Sequence, residues 1–128
     1  MKQIVFFAAA MALAAPAAAQ QAQPAPMNLE QAMLLRCSAV FAVVAGEQDR
    51  GEPGALAYPP LRERGREFFV RASARLMDER GWSREEMEAA LRAEATQFQA
   101  DLSRAPDRDR FIGNVMQPCL SALEAAGL

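Results

Sequence analysis

The sequence predicts an all-α protein: a four-helix up-and-down bundle with its first helix central, its last helix kinked, and one disulfide. Three observations lead there. Apolar residues recur at intervals of three and four through four successive segments. Residues that start or stop helices bound these segments: Asn28, Gly51, Gly81, Ser83, Pro106 and Asp107. No stretch alternates apolar and polar over the length of a strand, and there is no internal repeat.

The first helix is expected from Leu29 to about Asp49, and its core is residues 29–44, LEQAMLLRCSAVFAVV. On a helical wheel Leu29, Met33, Cys37, Val40 and Val44 form one stripe, with Leu34 and Phe41 beside it. Leu35, Ala39 and Ala42 fall almost opposite. A helix apolar all round is covered on most sides, so the rest of the chain should wrap on it. Asn28 is its expected N-cap, with Gln31 completing a capping box. Arg36 in its middle and Glu30 in its first turn argue against a membrane span, since a central Arg costs about 2.5–3.5 kcal/mol on insertion scales. Arg36 must be paired if buried, and Glu124 is the expected partner; otherwise it reaches to the open end of the bundle.

Residues 51–60, GEPGALAYPP, read as a loop because Gly and Pro punctuate them. Tyr58 should lie on the end of the bundle, and one of the following prolines can open the next helix. The second helix is expected over residues 61–80, with Leu61, Gly65, Phe68, Ala72 and Leu76 inward. Phe69, Val70 and Met77 are additional apolar side chains: Trp82 can cover Met77, Phe69 can reach the edge of the core, and Val70 has no assigned neighbour. Phe69, Val70 and Ser73 are therefore the candidate rim of a docking surface, for a protein partner or a second copy of the chain. The arginines of this helix alternate with acids around the wheel, which describes a solvated, ion-paired face.

Gly81 suits the left-handed end of that helix. Ser83 and Glu86 form a capping box for the third, and Trp82 between them can pack on both sides of the turn. The third helix runs over about residues 84–103 with Met87, Leu91, Ala95, Phe98 and Leu102 inward. The fourth spans about residues 107–126, with Ile112, Val115, Cys119 and Ala122 as its stripe. Pro118 cannot donate to the carbonyl of Asn114, so a kink near Gln117 or two short helices are expected.

At 128 residues the chain supports one core. Residues 1–19 read as a signal peptide: Lys2, an apolar run from Ile4 to Ala14, then small residues before Gln20. Residues 20–27 form a polar leader expected to be disordered, and residues 28–128 a single helical domain. The destination is the periplasm or the exterior, with no membrane span after signal cleavage. Cys37 and Cys119, an even pair in a small exported domain, are expected to form a disulfide. In an up-and-down bundle both stand roughly 12–13 Å from the same end, so topology and disulfide agree.

Much chemistry is excluded. The chain has no histidine, hence no imidazole-based nucleophile pair or metal site. There is no phosphate loop, no haem attachment motif and no complete EF-hand loop at residues 107–118. A net charge of −2 spread along the chain is not a nucleic-acid footprint. No cofactor or metal is expected. Glu94 and Asp101, two turns apart on one face, are the one carboxylate pair from which a small hydrolase or lyase could be built. The favoured class is a non-enzymatic envelope protein that binds a protein partner, as chaperone, adaptor or inhibitor.

The stretches RCSAVFA, GREFFVRASARLMDERGWS and MQPCL together resemble a group of small exported bacterial helical proteins with two cysteines. The matching residues are Cys37, Ala39, Phe41 and Cys119. The resemblance implies export and a helical fold, and no activity comes with it. Periplasmic acid-stress chaperones are similar in size, helicity and single disulfide, without a matching sequence pattern.

Overall fold

A computed structural model describes residues 25–128. The expected signal peptide (1–19) and most of the expected leader (20–27) lie outside the described residues. Among the described residues the protein is all-helical: α1 (Leu29–Asp49), α2 (Pro53–Leu56), α3 (Arg62–Arg80), α4 (Arg84–Arg104) and α5 (Arg108–Ala125). Four of these are the expected segments. The fifth, α2, is one turn inside the stretch read as a loop, opened by Pro53 at its first position.

The helix ends follow the local chemistry. Asn28 and Ser83 each close a capping box, with Gln31 and Glu86 respectively. Asp107 accepts from the Arg110 amide at the start of α5. Gly81 ends α3 at φ 65°, where a side chain would be strained. The Trp82 amide then donates back to the Met77 carbonyl at 3.1 Å. No proline opens α3; Leu61 is its N-cap, without a side-chain cap.

Helix α1 touches all four other helices and packs most extensively on α3 and α4. The expected stripe is buried at Cys37, Val40 and Val44 and fails at its first residue. Leu35, Cys37, Ala39, Val40, Phe41 and Val44 are buried, whereas Leu29 is 79% exposed. Leu29 occupies the first turn, beyond the reach of its neighbours. Two clusters make the core. The larger joins Val40, Phe41 and Val44 to Phe68, Phe98, Ile112, Met116 and Leu123. The smaller, of Leu35, Leu76 and Met87, is covered by Met77, Trp82 and Leu91. Gly65 permits the close α1–α3 approach, since a Cβ there would lie 3.0 Å from that of Phe41.

Cys37 and Cys119 are bonded, with Cα atoms 5.2 Å apart, and tie α1 to α5. Helix α5 continues unbroken through Pro118, so the alternative of two short helices is not what forms. Its buried residues Met116 and Cys119 flank the proline and hold both halves on the core.

One side chain organises the connection from α1 to α3. The Gln48 amide nitrogen donates to the carbonyls of Ala55, Tyr58 and Pro59 at 3.0–3.2 Å, and its oxygen accepts from the Leu61 amide at 3.0 Å. Beside it the Glu47 carboxylate is 7% exposed and pairs with Arg108 at 2.5 Å. This pins the start of α5 to the end of α1, and the second Glu47 oxygen has no partner among the described residues.

Candidate functional site

A concave apolar surface lies where α3 and α4 part above α1. These two helices touch each other far less than either touches α1. The gap is a groove of about 230 Å³. Its floor and walls are Phe41, Ala42, Ala45, Gly65, Phe69 and Leu91. Ala42 and Ala45 are too small to fill the space, and Ala42 is exposed. The Ser38 hydroxyl, also at the groove, already donates to the Leu34 carbonyl at 2.7 Å. Arg62 and Arg66 stand on its α3 rim.

Of the three expected docking residues, Phe69 is half-buried in the groove wall and Val70 is 54% exposed. Ser73 is not on the surface: it is buried, and its hydroxyl has no partner among the described residues. Three positions beyond Val70, a helix turns about 300°, which carries Ser73 back under cover. Phe69 and Val70, one position apart, are about 100° apart on the helix and point to different sides.

The α3 arginines are largely committed. Arg62 pairs with Asp49 at 2.8 Å, Arg71 with Glu67 at 2.9 Å, and Arg75 with Glu30 and Glu79 at 2.6 Å each. Arg64 donates to the Leu128 carbonyl and Arg71 to that of Ala126, satisfying groups at the end of α5. Arg80 donates to the carbonyls of Ala25 and Pro26, the last part of the expected leader, and stacks on Trp82. The ion-paired reading of this face holds for Arg62, Arg71 and Arg75, while Arg64 and Arg80 are bonded to carbonyls. Arg66 alone on α3 makes no hydrogen bond or ion pair among the described residues.

Glu94 and Asp101 are each held by an arginine. Glu94 accepts from Arg36 at 2.8 Å, and Asp101 from Arg104 at 2.7 Å and Gln97 at 2.9 Å. The bond from Arg104, then that from Gln97, holds the Asp101 carboxyl below its ordinary value, the opposite of what a general acid needs. The expected Arg36–Glu124 pair does not form. Arg36 turns toward α4, between Glu94 and the face of Phe98, whose centroid is 5.9 Å away. Glu124 sits on an exposed part of α5, whereas Phe98 draws the guanidinium the other way.

Tyr58 is half-buried against the core, and burial, then the charge of Asp109, raises its phenol above the ordinary value. No group of three or more metal-ligating side chains occurs among the described residues. A second, wider depression of about 460 Å³ at the α4–α5 turn contains Phe111, Arg104 and Arg110, but Asp101 and Asp107 stand among its cations.

Sequence reasoning missed the groove, Gln48 and Glu47. The spacing of Ala42, Ala45 and Gly65 carries a signal of close packing or of empty space, and only the divergence of α3 and α4 decides which. Comparison with protein-family models, curated proteins and solved structures returns no match.

Proposed function

We propose that the protein is an exported, non-enzymatic helical protein of the cell envelope that binds a protein partner, as chaperone, adaptor or inhibitor. The carrying observation is the apolar groove between α1, α3 and α4, with Phe69 in its wall; Val70, on another side of α3, is a further exposed apolar side chain. Export is supported by the apolar run at residues 4–14, by the Cys37–Cys119 disulfide, which persists in oxidising compartments, and by the resemblance to small exported helical proteins. The up-and-down order draws support from ties between opposite ends. Asp49 at the end of α1 meets Arg62 at the start of α3, and Glu30 at the start of α1 meets Arg75 near the end of α3. Glu47 and Arg108 relate α1 and α5 in the same sense. The bend at Pro118 follows from its missing N–H.

The test is capture. The mature protein, immobilised and exposed to periplasmic extract, retains a specific protein, and Val70→Glu weakens retention without lowering the melting temperature. No specific retention by the native protein, with the fold intact by circular dichroism, refutes the partner reading.

A further inference from the structure

The groove has a length, a floor and a charge. It runs along residues 38–45 of α1 and from the N-cap of α3 to Phe69, which is about 10–12 Å, or two helical turns. Its floor carries the small side chains of Ala42 and Ala45, which let another backbone come close. Arg62 and Arg66 are one turn apart on the same rim, about 6 Å along the axis. Asp49 neutralises Arg62, and Arg66 has no partner among the described residues, although Arg62, Arg64, Arg71, Arg75 and Arg80 all do. In a chain of net charge −2, this leaves one uncompensated cation beside an apolar groove.

We infer that the groove takes a short amphipathic helix of an acidic protein partner, with two aliphatic side chains one turn apart on its floor and a carboxylate against Arg66. The inference rests on the partner reading above and specifies its occupant. Two turns of groove match anchors at positions i and i+4 of a docked helix. A guanidinium on the rim offers paired donors to a carboxylate and repels a basic segment. The hydroxyl of Ser38 is already bonded, so an apolar side chain over it leaves no donor stranded.

The probe is a fluorescein-labelled helical peptide of about a dozen residues, with two Leu four apart and Glu along one flank; its twin carries Lys for Glu. Binding is followed by anisotropy on the mature protein. The acidic peptide binds, and the Lys twin binds at least about tenfold more weakly. Arg66→Glu reverses that preference. Ala42→Glu abolishes binding of both while keeping the melting temperature, because Ala42 is exposed. If Ala42→Glu does not fold, Arg66→Glu, also at an exposed position, decides alone. Failure of the acidic peptide to bind, equal affinity for the Lys twin, or unchanged affinity in Ala42→Glu overturns the inference. So does binding of decanoate with neither peptide bound. Capture of a periplasmic protein equally by native protein and Ala42→Glu overturns the groove assignment and leaves the partner reading standing.

Discussion

At the scale of single residues, two side chains that no periodicity singles out fix local structure. Gln48 uses both ends of its amide on one connection, three carbonyls and one amide. At about 1 kcal/mol net per hydrogen bond, with one of the four exposed, Gln48→Ala should cost about 2–3 kcal/mol. Urea unfolding measures the loss, and hydrogen exchange should show the Leu61 amide losing protection. Glu79 controls a response to acid. The Gln31 amide, then Arg75, holds its carboxylate below the ordinary value of 4.5. The folded state therefore binds fewer protons than the unfolded state near that pH. The stabilisation is fully present above it and is lost as pH falls through the lower, folded value. Urea midpoints between about pH 6 and pH 3 should fall less steeply in Glu79→Gln than in the native protein. The residues at caps were legible in the sequence because a cap is a local event: Asn28–Gln31 and Ser83–Glu86 are each three positions apart. Gln48 was not, because its partners are backbone atoms whose positions depend on the whole connection. Arg36 was misassigned for a related reason, since level along a bundle axis does not say which neighbour a side chain turns to.

At the scale of elements, the 3.6-residue period and the Gly, Pro and Asp punctuation located the four long helices to within a residue or two. The single turn α2 was illegible, being too short to show a period. Which helices pack most tightly was also beyond the pattern. A helix apolar all round demands cover but does not rank its neighbours, and α3 and α4 take the larger share of α1. The groove exists because of that unequal sharing, so it too was hidden. Helix α5 offers the test at this scale. Pro118 is exposed and interior to the helix, and it leaves the Asn114 carbonyl without its intrahelical donor. Pro118→Ala should raise stability by about 1–3 kcal/mol, read as a higher urea midpoint. A lower midpoint would mean that Met116 and Cys119 reach the core only through a bend at the proline.

At the scale of the whole molecule, the disulfide spans a sequence separation of 82 residues, and Cys37 and Cys119 are each 2% exposed. Constraint of so long a loop in the unfolded chain is worth about 4–5 kcal/mol by chain entropy. The double variant Cys37→Ser, Cys119→Ser should lose about that much, measured by urea unfolding, and remain helical by circular dichroism. Native protein should resist thiol labelling until it is both unfolded and reduced. The bond also gives the chain a covalent topology. Residues 37–119 form a closed ring, with the first turns of α1 and the last turns of α5 as two short tails. All three connections between the long helices lie inside that ring. A single proteolytic cut at any of them opens the ring without releasing a fragment. The nicked protein runs as one species on a non-reducing gel and as two after reduction, so a molecule cut once at its surface keeps its parts together.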